Sequence, residues 1–296
     1  MIRNPKTPAE SRFRRLLRDN PILRELVRSK IAQVSVAITL IYALIALLGP
    51  VLAPYDPTAM LTLPRQPPSA EHWFGTDEIG RDIFSRLLVS ARVAMTVGFV
   101  AVGIGLVVGG LMGIVAGFYG GWIDSFVMRL VDILLAFPGI LLALAVITFL
   151  GPGMTNTMIA IGIGGIPGYA RLIRGEVLSL IERDHVSAAR ALGAGGIRLV
   201  FRHLVPLLLS SMLVYSTSQL ARAILAEAGL SYLGLGVQPP NPSWGGMIAS
   251  GQRFFLTAPY MAIYPGTAIM ILVFALNLLG DALRDALNPT LRRSGK

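Results

Sequence analysis

Long apolar runs are the feature that most constrains how this chain can fold. Backbone polar groups must pair within a segment that crosses lipid, because the bilayer offers them no hydrogen bonds. A membrane-spanning helix needs about 20 apolar residues, and a shorter, glycine-rich run is expected to pack inside a helical bundle. The sequence therefore predicts an all-α membrane protein with six transmembrane helices. The corresponding runs lie at 34–52, 93–118, 133–150, 158–169, 206–225 and 262–279.

The composition agrees with this fold class. Hydrophobic residues make up 54% of the 296 residues, charged residues make up 14%, and the mean hydropathy is +0.66. Such values are typical of membrane proteins with several spans rather than of soluble domains. Cysteine is absent from the sequence, which excludes disulfides, thiol nucleophiles and cysteine-based metal sites. The first apolar run is long enough to span, so we interpret it as an uncleaved helix.

The positive charge is distributed in a way that predicts topology. The net charge is +10, and lysine and arginine are concentrated in the first 30 residues, between the fourth and fifth apolar runs, and in the C-terminal tail. The alternate loops hold few basic residues. By the positive-inside rule, both termini and the loop between the fourth and fifth runs are expected to be cytoplasmic.

The basic block between the fourth and fifth runs has the pattern of two short helices. Gly193 is suited to end a first helix over about 182–192, because glycine readily adopts a left-handed conformation. Pro206 fits the first turn of the next span, and the small Ala188 and Ala189 would let a partner approach the backbone. The block is either a docking surface or an ordinary loop between helices. A second helix is predicted to align four apolar residues in one stripe: Ile197, Val200, Phe201 and Leu204.

Acidic residues cluster before the second run: Asp77, Glu78 and Asp82. Carboxylates at this spacing could ligate a hard cation or contact a substrate. The alternative is structural: Thr76 or Asp77 is the N-cap of a helix whose first turn is acidic, and Arg81 and Arg86 pair with the acids. Before the third run, Arg129 and Asp132 are interpreted as a pair at the cytoplasmic edge.

Small residues recur every four positions in the second run: Ala101, Gly105, Gly109, Gly113 and Gly117. On a helix they form a groove that lets another helix approach closely. That helix belongs either to the same chain or to a second membrane subunit. In the fifth run, Arg222 and Glu227 lie near the predicted outer end. Ionisable residues at membrane depth are candidates for a pathway or gate, although an arginine there can also extend to the interface.

Known catalytic, metal-binding and nucleotide-binding motifs are absent from the sequence. The three histidines have no metal-ligand spacing, and none of the three lysines follows a glycine-rich phosphate-binding loop. The sequence predicts no catalytic residue, no metal site and no cofactor in this chain. If the protein drives transport with ATP, another chain must bind the nucleotide.

Four stretches resemble the "C"-type permease subunits of ABC importers of the dipeptide/oligopeptide family, which also includes nickel- and glutathione-type members. They lie at 72–86, 185–206, 230–245 and 277–289. The block around Gly193 is similar to the cytoplasmic loop through which such permeases contact their ATPase. The residues that correspond to this ATPase-coupling loop are Ser187, Ala188, Ala189, Gly193 and Pro206. Ser187 stands where members of the family usually carry an acidic residue or glutamine.

The resemblance implies an ABC importer permease fold with a cytoplasmic coupling helix. It further implies a bacterial inner-membrane location, a second permease subunit, two ATPase subunits that hold ATP-Mg, and an extracytoplasmic substrate-binding protein. Membrane lipid is an expected partner and nucleic acid is not. This chain would form half of the translocation path for a peptide or similar small solute. An ATP-independent carrier and a membrane-embedded enzyme or scaffold are the alternatives.

The expected organisation of the chain follows from the runs and the resemblance together. A cytoplasmic N-terminal tail occupies 1–30, and the first transmembrane helix and an extracytoplasmic segment occupy 31–92. A permease core of five transmembrane helices occupies 93–280 and includes the coupling loop at 171–205. A cytoplasmic C-terminal tail occupies 281–296.

Overall fold

A computed structural model describes residues 29–287 of the protein. The predicted N-terminal tail and most of the predicted C-terminal tail lie outside the described residues. Within them the regular structure is entirely helical, so the all-α prediction is confirmed. The helices are α1 (Lys30–Leu52), α2 (Ile83–Tyr119), α3 (Gly121–Leu135), α4 (Gly139–Leu150), α5 (Met154–Ile181), α6 (Asp184–Ala191), α7 (Gly196–Tyr232), α8 (Trp244–Gln252) and α9 (Tyr260–Leu287).

Length and composition identify fewer spans than the sequence predicted. Four helices in the described part of the chain, α1, α2, α7 and α9, are long and apolar enough to cross a membrane. Helices α3 and α4 meet this criterion only as a pair, and they are bent by 89° relative to each other. The count is therefore four, or five if the bent pair is one span, and six transmembrane helices are not confirmed.

The third apolar run was predicted as one transmembrane helix, but the structure divides it between two helices. It breaks between α3 and α4 at Pro138, which precedes the first residue of α4 and has extended backbone angles (φ −54°, ψ 133°). Proline has no amide hydrogen to donate and its ring clashes with a preceding helical turn, so it disfavours a continuous helix at this position.

The fourth run was predicted too short, because α5 continues well beyond residue 169. Its second half carries arginines that form ion pairs with acids of α3. Arg174 contacts Asp124 at 2.5 Å and Arg171 contacts Asp132 at 2.7 Å. The partner of Asp132 is therefore Arg171, and the expected pair with Arg129 is wrong. These two ion pairs connect α3 to α5.

The small-residue groove of α2 packs against α5 of the same chain. A Cβ atom at Gly113 would lie 2.6 Å from the carbonyl oxygen of Ala170, and one at Gly117 would lie 2.9 Å from Val177. A Cβ at Gly109 would overlap the backbone of Ile166. The absence of side chains thus lets the two helix backbones approach each other. Part of this groove, Gly105–Gly109, is a π-helical turn within α2.

The two larger buried clusters join most of the helices. One joins α1, α2, α7, α8 and α9 around Trp244, whose indole N–H donates to the carbonyl oxygen of Leu87 at 3.1 Å. The other joins α5, α6 and α7, and its fully buried members include Ile173, Val186 and Leu204. The second cluster fixes the position of α6.

The acidic cluster before α2 is part of a folded loop. Asp82, rather than Thr76 or Asp77, is the N-cap of α2, and its carboxylate accepts a hydrogen bond from the Ser85 amide at 2.7 Å. Asp77 instead accepts from the amide and the guanidinium of Arg81. The predicted capping residues were therefore wrong, because the Asp77 carboxylate already accepts hydrogen bonds from Arg81 within the loop.

The predicted pairing of the basic residues with these acids is confirmed. Arg81 contacts Asp77 at 2.6 Å and Glu78 at 3.3 Å, and Arg86 contacts Asp77 at 3.5 Å. Residues 29–287 contain no group of three histidines or acids that could hold a metal ion. The ion pairs of Arg81 and Arg86 support the structural interpretation of the acidic cluster.

Candidate functional site

Helix α6 ends in a tight hydrogen-bonded turn at Gly193. The amide of Gly193 donates to the carbonyl oxygen of Arg190, and the amide of Ala194 donates to that of Ala189, both at 3.0 Å. Gly193 has φ +82°, a conformation that costs other residues free energy because their Cβ crowds the backbone. This is the Schellman arrangement that commonly terminates helices, so the predicted end of the first helix is confirmed.

Helix α6 is buried against the bundle on one side and exposed on the other. Val186 is fully buried among residues of α5 and α7, and Ala189 packs against the same cluster. Ser187 and Ala188 are exposed, and Leu192, at the C-terminal end of α6, is 89% exposed. A short helix is thus held firmly to the bundle while its outer side presents small and apolar residues together with the charged Asp184 and Arg190.

The second helix of this block differs from the predicted single stripe. Leu204 is fully buried, whereas Ile197 is 77% exposed and Phe201 is 67% exposed. A π-helical turn at Val200–Leu204 explains the difference, because it inserts an extra residue into the turn and rotates the following residues. Pro206 lies in the first α-helical turn after it, as predicted.

An open groove lies beside the Gly193 turn. It combines apolar side chains with two guanidinium groups, and it is not filled by another part of residues 29–287. Its lining residues are Gly193, Gly195, Gly196, Ile197, Arg198, Phe201, Arg202 and Pro206. The structure therefore brings Gly193 and Pro206 to one surface.

A separate cavity of about 290 Å³ lies between α2, α4, α5 and α7. We call it the Arg222 cavity. Most of its wall is made of glycine, alanine and larger aliphatic residues, and its polar side chains come from α5 and α7: Tyr169, Gln219 and Arg222. Arg222 is exposed, and its Nη1 donates to Gln219 Oε1 at 3.1 Å.

Glu227 does not share this cavity. Its side chain is 1% exposed, and its carboxylate accepts a hydrogen bond from the Ser231 hydroxyl at 2.7 Å. The Ser231 oxygen also accepts from the Val237 amide at 3.1 Å. Glu227 thus connects the end of α7 to the loop that follows it, and the two residues predicted together for a pathway or gate occupy different environments.

Sequence reasoning missed two polar members of the cavity. Gln219 precedes Arg222 by three positions, the spacing that places side chains on one face of a helix, and that signal was available. Tyr169 lies on α5 and is fully buried, with its hydroxyl 2.8 Å from Ser216 Oγ. Its proximity depends on how two helices pack, which spacing along the sequence does not report.

Comparison with known families accounts for this architecture. Residues 109–293 match the model of the family described as "Binding-protein-dependent transport system inner membrane component". The chain belongs to this family. Residues 21–68 match a second model, described as the N-terminal TM domain of oligopeptide transport permease C. The resemblance inferred from the sequence motifs is therefore confirmed.

Curated relatives agree along nearly the whole chain. The dipeptide transport system permease protein DppC of Alkalihalophilus pseudofirmus is 41% identical, over 96% of this chain and 94% of its own. The glutathione transport system permease protein GsiD of Pectobacterium atrosepticum is 42% identical, over 91% of this chain and 90% of its own. GsiD of Escherichia coli O157:H7 is also 42% identical, over 91% and 89%.

Solved structures support the fold. A chain of the inward-facing MetNI methionine ABC transporter superposes with a TM-score of 0.56 at 20% identity, covering 69% of this chain and 97% of that one. The family model and the curated relatives identify the protein as a permease subunit of an ABC transporter, a membrane-embedded transport component. It is not an enzyme, because ATP hydrolysis in such systems occurs in separate ATPase subunits.

Proposed function

We propose that this permease forms one half of the translocation path of an ATP-driven importer for a peptide or a similar small solute. The names of its relatives, a dipeptide and a glutathione permease, support this class of solute. A second permease subunit would supply the other half of the path. Two ATPase subunits would hold ATP-Mg, and an extracytoplasmic binding protein would deliver the solute.

The observation that carries the coupling role is the two-sided environment of α6. Its buried side, at Val186, joins a cluster that contains residues of both α5 and α7. Its outer side carries Ser187, Ala188 and the exposed Leu192. A rigid ATPase that grips the outer side would therefore move α5 and α7 together. Such a movement could exchange the two gates of the path in an alternating-access cycle.

We place six crossings in the membrane: α1, α2, the α3–α4 pair, α5, α7 and α9. Helix α4 has 12 residues, about 18 Å of helix, which is too short for a hydrocarbon core of roughly 30 Å. It therefore needs α3 to complete a crossing. Helix α5 has 28 residues, about 42 Å, and its glycine-rich face packs on α2, which favours a crossing position inside the bundle.

The domain organisation expected from the sequence fits this arrangement. Segments 1–30 and 281–296 would be cytoplasmic tails, and 31–92 would hold α1 and an extracytoplasmic segment. The permease core would occupy 93–280 with the coupling loop at 171–205, and the membrane would be the inner membrane of a bacterium.

Replacing Leu192 with aspartate tests the coupling assignment. Leu192 is so exposed that Leu192→Asp leaves the core of this permease intact, but it would put an unpaired charge into a docked interface. We expect ATPase subunits that copurify with the tagged permease to fall about tenfold or more. Leu256→Asp is the matched control, since Leu256 is 98% exposed on a different loop.

Native mass spectrometry of the gently extracted complex is the measurement. Wild type and Leu256→Asp should carry two ATPase subunits and a second permease, and Leu192→Asp should retain the second permease without ATPases. Full ATPase occupancy in Leu192→Asp would refute docking at α6. A wild-type chain that never carries an ATPase, even with trapped nucleotide, would refute the importer assignment itself.

A further inference from the structure

Arg222 carries a charge that has no acidic partner in residues 29–287. It lies in the apolar helix α7, one of the four helices able to cross a membrane. The described residues contain six ion pairs, and none of them involves Arg222. Its hydrogen bond is to the neutral amide of Gln219. A charged group in such a place is costly unless it meets a counter-charge, so it marks a functional site.

Acids elsewhere on the same helix do not provide that counter-charge. Glu227 follows Arg222 by five positions, which corresponds to about 140° around the helix axis. Its carboxylate is buried and accepts from Ser231. The guanidinium is exposed on the wall of the Arg222 cavity.

The other residues that line the cavity have few polar groups that could bind Arg222 in place of an anion. Alanine and glycine make up half of the cavity's lining residues, and the hydroxyl of Tyr169 is already bonded to Ser216. Small residues leave space beside the guanidinium, and the lining residues include no acid, so the attraction between Arg222 and an anion is not offset by the wall. The guanidinium has a planar set of donors that matches the two oxygens of a carboxylate.

We propose that Arg222 makes this cavity a binding station for the carboxylate group of the transported solute. The inference rests on the proposed function, because it assumes that the solute passes this cavity. It deepens that function by naming the recognised chemistry: the solute carries at least one carboxylate, which pairs with Arg222 during passage. Gln219 is a positioning residue, since its amide oxygen holds one edge of the guanidinium.

A single cysteine placed in the cavity can measure the preference of the cavity for anions over cations, and this measurement does not require the solute to be known. The chain contains no cysteine, so Ala226→Cys creates one unique thiol, four positions after Arg222 and on the cavity wall. The assembled complex is treated with an anionic reagent, 2-sulfonatoethyl methanethiosulfonate, or a cationic one, 2-(trimethylammonium)ethyl methanethiosulfonate. The intact mass of this chain reports each modification rate.

The ratio of anionic to cationic modification rates is the diagnostic quantity. We expect Arg222→Gln to lower this ratio at Ala226→Cys by about tenfold, because a unit charge within a few ångströms acts oppositely on the two reagents. Arg222→Lys keeps the charge and should preserve the ratio. At the control position Leu256→Cys, outside the cavity, Arg222→Gln should leave the ratio unchanged.

An unchanged ratio at Ala226→Cys in the Arg222→Gln background would overturn the proposal. It would mean that an acid of the second permease neutralises Arg222 or that its guanidinium lies at the lipid interface. The ATPase content of the same preparation separates the two levels of failure. If ATPase subunits are present and the ratio is unchanged, only the proposed carboxylate-binding role of Arg222 is refuted. If wild type lacks ATPase subunits, the importer assignment itself is refuted.

Uptake of a defined pair of peptides then tests recognition of the carboxylate itself. Cells that depend on this importer are offered dialanine or its C-terminal amide, with the affinity of the binding protein for each measured separately. We expect Arg222→Gln to reduce dialanine uptake about tenfold more than amide uptake, after correction for binding-protein affinity. Equal reductions for both peptides would contradict a carboxylate contact.

Discussion

At the residue scale, the backbone conformation of Gly193 gives the most direct test of the α6 turn. Gly193→Val forces a β-branched residue into left-handed geometry, and the strain is about 1–2 kcal/mol or more. We expect the turn to rearrange, and both solute uptake and the coupled ATP hydrolysis to fall severalfold. Uptake in cells and ATPase activity of the reconstituted complex are the two measurements.

Gly195→Val is the matched control for this substitution. Gly195 lies two residues away, has φ −67° and ψ 156°, and has no neighbouring atom within 4 Å of an added Cβ. Valine fits that extended conformation without strain. Because Gly195 also lines the groove beside the Gly193 turn, the two variants differ in backbone strain rather than in location, and uptake should fall less in Gly195→Val than in Gly193→Val. If Gly193→Val retained full uptake and full coupled hydrolysis, the geometry of the turn would not matter for coupling.

At the element scale, the contact between α2 and α5 depends on a missing side chain at Gly109. Gly109→Leu would push against Tyr169, whose Cβ would lie 2.8 Å from the new Cβ, and against the backbone of Ile166. Overpacking of this kind costs about 1–3 kcal/mol or more. We expect a lower melting temperature and a lower yield of the folded permease in detergent.

Gly103→Leu provides the control on the same helix. Gly103 has nothing within 4 Å of an added Cβ, so leucine there should leave the melting temperature unchanged. The two variants are compared as purified permease before assembly, because the contact lies within one chain. Equal melting temperatures for wild type and Gly109→Leu would contradict the packing of α2 on α5.

The sequence predicted where helices lie better than how they begin, bend and pack. Hydropathy detected α1, α2, α7 and α9, because these helices contain long runs of apolar residues. It missed the second half of α5, where Arg171 and Arg174 pair with acids of α3. Charged residues that form ion pairs between helices lower the hydropathy of the sequence just as loop residues do. Hydropathy alone therefore cannot distinguish the two.

A small backbone irregularity accounts for one further error. The π-turn at Val200–Leu204 rotated the predicted stripe, and no residue in it is diagnostic of that geometry. Gly193 was predicted correctly because one residue type is strongly preferred in the left-handed conformation. For the candidate sites, the sequence identified Arg222 but could not separate it from Glu227, since burial depends on the helices that surround each residue.

At the scale of the whole molecule, the arrangement of crossings determines whether α6 can meet an ATPase. Six crossings place the loop after α1 and the loop after α7 on one side of the membrane, and α6 on the other. If the bent α3–α4 pair did not cross, α6 would lie on the same side as the loop after α1, and the loop after α7 would lie opposite. The bent pair therefore sets the topology of the second half of the protein.

Three single-cysteine variants distinguish these topologies, because the wild-type chain has no cysteine of its own. Met60→Cys, Leu192→Cys and Leu256→Cys replace side chains that are 70%, 89% and 98% exposed, so each thiol is open to an impermeant maleimide when the permease is expressed without the ATPase subunits that would cover position 192. In intact spheroplasts, we expect labelling at positions 60 and 256, and labelling at 192 after the membrane is opened. Labelling of 60 and 192 together, with 256 protected, would mean that α3 and α4 form a re-entrant hairpin, and α6 could not couple this permease to a cytoplasmic ATPase.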